Sequence, residues 1–179
     1  MNKFILIVLL LFVGVSTKGQ VTTNSFEIDN NDITWQKVFD TSLSFQNLVD
    51  IIKATGLLKN IEIQKDKIFG DLMPIDADFK GAGYSEMSTP IYVSRSDIGG
   101  FFVLEYKEGK YRVTIRKMIL TQKYSDGLTE LGEKTSLETY GLKKGKNEMT
   151  NAFKKSSSEI LNYTFNKKFN FKAEKKNNW

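Results

Sequence analysis

Two hydrophobic periods in this sequence predict an α+β domain: an antiparallel sheet, element order β-α-β-β-β-β-α, with the helices packed on one face. Three stretches carry the prediction. ITWQKVFD (33–40) and FFVLEYKEGKYRVTIRKMIL (101–120) alternate with a period of two, which is the strand signature. SFQNLVDIIKATG (44–56) repeats its apolar residues at three and four, which is the helical one. A sheet with one apolar face and amphipathic helices beside it buries that surface by laying the helices on it.

In chain order, residues 20–32 are polar, with Asp29-Asn-Asn-Asp32 at their end, and read as a flexible arm. The domain then spans 33–168. Its first strand puts Ile33, Trp35 and Phe39 on one face and Thr34, Gln36 and Val38 on the other. The helix follows, with Ser42 and Ser44 as candidate N-caps, an apolar stripe of Phe45, Leu48, Val49 and Ile52, and Gly56 where a left-handed C-cap would end it. NIEIQKDKIFGDLMPIDADF (60–79) alternates again. With Asp66-Lys67 as its turn, Ile63 lies opposite Gly70 and Ile61 opposite Leu72, and Pro74 marks an edge or a bulge. Residues 81–100 form a long Gly- and Ser-rich connection, with a short strand expected at Ile91–Val93. A loop of that length is functional or mobile.

The 101–120 hairpin turns at Glu108-Gly109. That register pairs Tyr106–Tyr111, Leu104–Val113 and Phe102–Ile115 on one face. On the other it pairs Glu105–Arg112, Val103–Thr114 and Phe101–Arg116. Burying one inner side chain contributes ~1.5–3 kcal/mol, whereas the Glu105–Arg112 pair contributes ~0.2–1 kcal/mol. The apolar face therefore sets the register, and the arginines follow from it. A second helical stripe runs from about Lys146 to Lys168 through Met149, Phe153, Ile160, Leu161 and Phe165, weakened at Ser156–Ser158. Thr135-Ser-Leu-Glu138 has capping-box form for a short extra helix, and residues 169–179 read as a frayed basic tail.

The N-terminus, MNKFILIVLLLFVGVSTKGQ, has a basic start, an apolar run and a small, polar end. This is the layout of a cleaved secretory signal over 1–19, leaving Gln20 first. Localisation is therefore expected to be periplasmic or extracellular. The chain has no cysteine, so its stability rests on a packed core rather than on disulfides. After the leader, residues 20–140 hold 14 basic and 18 acidic side chains, a net of −4, and residues 141–179 hold 10 and 3, a net of +7. The basic character belongs to the C-terminal segment, which suggests weak contact with an anionic surface.

Histidine is absent as well. That removes histidine general bases, serine and cysteine triads, and histidine- or thiolate-ligated zinc. No phosphate-cradling loop of the G-x-x-x-x-G-K-[ST] type is present. The remaining candidates for chemistry are Asp71, Asp76 and Asp78, which as a carboxylate set would serve a glycan-cleaving enzyme. Asp29–Asp32 is a poor match to a calcium loop, and Asn162-Tyr163-Thr164 has glycosylation-acceptor form.

The export signal, ITWQKVFD followed by SFQNLVDIIKATG, and above all GGFFVLEYKEGKYRVTIRKMIL resemble exported proteins of the Bacteroidetes group that carry an uncharacterised domain with a TATA-binding-protein-like fold. The resemblance covers roughly residues 33–120. It implies a helix inserted after the first of five strands and a second helix closing the unit, and it implies no activity and no site residues. The functional expectation is an exported, non-enzymatic binding or envelope-associated module without cofactor or metal. Its partner is expected to be an envelope protein, a glycan or another ligand, and not nucleic acid. The candidate surface is Phe101, Val103, Glu105, Arg112, Thr114 and Arg116. The alternatives are the carboxylate enzyme and anionic-surface binding through the C-terminal helix.

Overall fold

The structure is a computed structural model, which describes residues 22–125, 127, 129–144 and 148–172. The expected leader and the end of the expected tail, 173–179, lie outside the described residues. No helix among the described residues is long and apolar enough to cross a membrane.

Strands β1 (Phe26–Asp29), β2 (Asp32–Asp40), β3 (Leu58–Gln64), β4 (Lys67–Asp76), β5 (Ser96–Lys107), β6 (Lys110–Gln122) and β7 (Lys134–Ser136) form one antiparallel sheet. Its order is β1-β2-β6-β5-β4-β3, with β7 paired to the far end of β6. The helices are α1 (Phe45–Thr55), α2 (Ile91–Ser94), α3 (Glu138–Gly141) and α4 (Ser158–Phe169), the last continuing a π-helical turn at Phe153–Ser157. The expected α+β architecture stands, with an antiparallel sheet and helices on one face.

The β5–β6 register is the expected one, pair for pair from Lys107↔Lys110 to Phe101↔Arg116, around Gly109 at φ 80°. Helix α1 begins at Ser44, whose hydroxyl accepts from Asn47 N, and ends at Gly56 with φ 64°. Both caps satisfy backbone groups that the helix itself leaves open. Pro74 lies in a bulge between Leu72 and Ile75, beyond the end of β3, where its missing N–H removes no ladder bond.

Four expectations need correction. Residues 26–29 are not a loose arm: β1 pairs with β2 across Asn30 and Asn31, both at positive φ (49° and 67°), a type I′ turn. This hairpin, and not a calcium loop, is what Asp29–Asp32 form, and it seats Phe26 in the core against Phe153 at 5.2 Å. The β3–β4 turn lies one residue earlier, at Lys65-Asp66, so Ile63 faces Ile68 rather than Gly70. A bulge with Asn60 at φ 52° then puts Leu58, and not Ile61, opposite Leu72. Ile91–Val93 begin a helix instead of a strand, and β5 already starts at Ser96. Residues 169–171 are not tail: Phe169 and Phe171 are buried, and both are tied to Tyr111.

The core lies between the sheet and α1, α3 and α4. Trp35 packs on Phe39, Phe165 and Phe169, and Phe102 packs on Phe169. In β6 an extra residue at Lys117 (φ 51°) shifts the β5 register, so that Ile115 and Met118, three apart, both point inward. Gly141 in α3 touches this core. A Cβ there would overlap Ile33 Cδ1 and come within 3.3 Å of Phe153 Cδ2. Because Ile33 and Phe153 are fully buried, Gly141→Ala should lose about 1–3 kcal/mol to overpacking against a helix gain of about 0.5–1 kcal/mol. A urea midpoint at or above wild type would contradict this packing.

Candidate functional site

The described helices leave one sheet face uncovered. α1 meets the opposite face through Phe45 on Tyr106, α3 through Gly141 on Ile33, and α4 through Phe165 and Phe169 on Trp35 and Phe102. The connection after β4 also packs on the helical side, where Tyr92 bonds Ser157 and Tyr84 bonds Glu159. No described helix therefore covers Phe101 and Val103.

Strand registers arrange the open face in three rows. The first runs Lys59–Asp71–Phe101–Arg116, and the second Glu62–Phe69–Val103–Thr114–Gln36. The third runs Gln64–Lys67–Glu105–Arg112–Val38. All six sequence-predicted surface residues lie in these rows. Phe101 and Val103 are half-buried by their neighbours: Phe69 lies 6.4 Å from the Phe101 ring, and the Arg116 guanidinium stands 5.0 Å over it. That cation–π contact ties the exposed Arg116 to Phe101. Gln36 Nε2 donates to Thr114 Oγ1 at 3.2 Å.

Glu105 is the electrostatic centre of the third row. Lys67 Nζ lies 2.9 Å from its Oε1, and Arg112 donates to its Oε2 through both Nε and an Nη. Lys67 and then Arg112 hold the Glu105 carboxyl below the usual glutamate range. Arg112 is therefore engaged, whereas Arg116 has an aromatic ring as its partner.

Reading the sequence missed more than half of this face. Lys67, Phe69 and Asp71 alternate along β4 and share the face by their period of two. That signal was legible. What the reading did not draw from it was that these side chains extend the surface carried by Phe101, Glu105 and Arg116.

The candidate carboxylates do not converge. Asp71 sits on the open face and accepts from Asn60 Nδ2 at 2.7 Å. Asp76 and Asp78 border a 370 Å³ surface cavity near α4, but each has its own cation, Lys123 at 2.6 Å and Lys167 at 2.7 Å. Lys167, together with the Gly81 N–H, holds the Asp78 carboxyl below its usual range. Asp97, opposite Asp76 in the sheet, is pushed up by burial. Among the described residues, no cluster of acidic side chains is arranged to hold a metal ion. Asn162 and Thr164 are committed to the interior: Asn162 Oδ1 accepts from Trp35 Nε1 at 3.0 Å, and Thr164 Oγ1 accepts from Asp78 N at 3.0 Å.

No family model matches the chain, and no curated protein matches its sequence. Among solved structures, the chain superposes on a TBP-like protein from Parabacteroides distasonis with a TM-score of 0.51, over 79% of this chain and 90% of that one. The fold is TBP-like. Sequence identity to that protein is 11%, so what the two share is the architecture. A DUF4468 family protein from Bacteroides ovatus aligns at a TM-score of 0.42 with 14% identity, over 82% and 88% of the two chains. In this chain the described helices pack on one face of the sheet, and the other carries the three rows.

Proposed function

We propose that this chain is an exported binding module of the cell envelope, non-enzymatic, which engages its partner through the open face of its TBP-like sheet. The observation that carries the reading is the first two rows of that face. Phe69, Phe101 and Val103 form an apolar strip flanked by Arg116, Asp71, Thr114 and Gln36, with no described helix above it. Aromatic and arginine side chains in such an arrangement are what binding hot spots are made of. The apolar N-terminal run supports export.

The alternatives have less behind them. Separate cation partners for Asp76 and Asp78 weaken the glycan-cleaving reading. Lys143 and Lys154 share Glu148, and Lys167 is held by Asp78, which leaves the C-terminal helix less free charge for an anionic surface. Lys59, Arg116, Lys67 and Arg112 on the open face stand among Asp71, Glu62 and Glu105, a mixture unsuited to a run of phosphates.

The test is co-sedimentation of the purified chain with isolated envelopes of the producing cell, beside a Phe101→Ala/Arg116→Ala variant. Both substitutions leave the core untouched, so thermal stability should change little. Wild type is expected in the pellet and the variant largely in the supernatant, a loss of about 10-fold or more for two central contacts. Equal pelleting of the two, or none of either, would overturn the reading. Mass spectrometry of the secreted chain should find Gln20 at its N-terminus.

A further inference from the structure

The third row ends in a cavity. Between the β3–β4 turn, the β5–β6 turn and β2, a 290 Å³ pocket is lined by Asp66, Lys67, Glu105, Lys107, Lys110 and Arg112, with Val38 as its apolar side chain. Tyr106 and Tyr111 also border it, but their rings lie on the helical face. Its size is near the lower end of small-ligand pockets, ~300–1,000 Å³, and suits a ligand of one ring.

Four cations and two carboxylates surround this space, but they are not equivalent. Glu105 already holds Lys67 and Arg112, and this trio carries one net positive charge. Lys107 and Lys110 flank the hairpin turn as a directly paired couple on the same face, and neither makes an ion pair among the described residues. Asp40 lies opposite Lys110 in the β2 register without bonding it. Two adjacent like charges across a hairpin are unfavourable by themselves. An anion between them would relieve that repulsion.

The rest of the lining selects more than an anion. Glu105 and Asp66 offer carboxylate oxygens that accept hydrogen bonds, and Val38, an apolar side chain 53% exposed, offers a dry surface beside them. A compact ligand matching all three has one anionic group, several hydroxyl donors and one apolar face. That is the chemistry of an acidic sugar.

We infer that the hairpin-end pocket binds an acidic sugar ring, its carboxylate between Lys107 and Lys110, its hydroxyls toward Glu105 and Asp66, and its apolar face on Val38. The inference rests on the binding-module reading and names a ligand class for one end of the same face.

The experiment is titration of the 15N-labelled chain with glucuronate, a short oligoglucuronate, glucose and inorganic phosphate, following the amides of residues 64–67 and 105–112. Glucuronate should shift these amides saturably, and glucose should bind more weakly. Lys107→Gln/Lys110→Gln should weaken glucuronate by about five- to tenfold at low salt, as expected for two exposed charges. An oligomer that binds more tightly than the monomer would place the pocket on a polysaccharide, and equal affinity would make the free sugar its ligand. Glucose binding as well as glucuronate, phosphate alone reproducing the shifts with equal affinity, or a lysine variant indistinguishable from wild type would each overturn the inference. The envelope assay is independent of these outcomes: if it depends on Phe101 and Arg116 while the titration shows nothing, the open-face reading stands and the acidic-sugar pocket falls.

Discussion

Trp35→Ala is expected to cost about 3–5 kcal/mol, the upper range for removing a large aromatic from a core. Trp35 is fully buried and meets Phe39, Phe165 and Phe169 at ring separations of 6.5, 5.2 and 6.1 Å. It is the point at which β2 and α4 are joined, because its Nε1 also donates to Asn162 Oδ1 at 3.0 Å. Alanine leaves a void that three rings from two elements cannot collapse into without moving α4. A domain of this size has a total stability of about 5–15 kcal/mol, so the loss is a large share of it. Urea denaturation of the two proteins measures it. A cost below that of an ordinary surface substitution would mean that α4 does not dock on β2 as described.

The second large effect is at Tyr111, whose hydroxyl donates to Phe169 O and accepts from Phe171 N, both at 2.8 Å. Tyr111→Phe keeps the ring stacked on Phe39 at 5.2 Å but strands a buried carbonyl and a buried N–H. At about 1–3 kcal/mol for each unsatisfied group, the expected loss is about 2–6 kcal/mol. It should appear first as faster amide exchange at Phe171.

The same residue makes a pH prediction. Burial pushes the Tyr111 phenol up to about 12, against the hydrogen bond from Phe171. The ordinary tyrosine value is about 10, so between these values the unfolded chain releases a proton that the folded chain keeps. Tyr111 therefore contributes stability that is complete below about pH 10 and is lost as pH rises through about 12. Urea midpoints taken near pH 8 and pH 11 should fall more for wild type than for Tyr111→Phe. Equal falls would assign the decline to the lysines and the other tyrosines, Tyr84 and Tyr92 among them, which both proteins share.

The regular elements were legible because their periods are local. In β5 and β6 the alternation of Phe102, Leu104, Tyr111, Val113 and Ile115 specifies one register, and slipping it by one residue would expose every buried side chain. The α1 boundaries follow from Ser44 and Gly56. Legibility failed where a segment's period is short or its partner distant. Phe26 and Ile28 are too few to show alternation against polar neighbours, although Asn30-Asn31 is a hairpin signal in itself. Phe169 and Phe171 looked like the start of a lysine-rich tail because nothing nearby announces that Tyr111 awaits them.

The open face divides in the same way. The sequence by itself determined that Phe101, Val103, Glu105, Arg112, Thr114 and Arg116 share one face, because side chains alternate along a strand and the β5–β6 turn is local. Only the tertiary structure decided the β4–β5 register, which sets Phe69 near Phe101 and Lys67 opposite Glu105, and the pairing of β2 with β6, which sets Gln36 and Val38 beside Thr114 and Arg112. It also decided that the described helices and the 81–100 connection lie away from that face. Strand order is set by how the whole core is buried, a sum over residues far apart in the chain that no local period records.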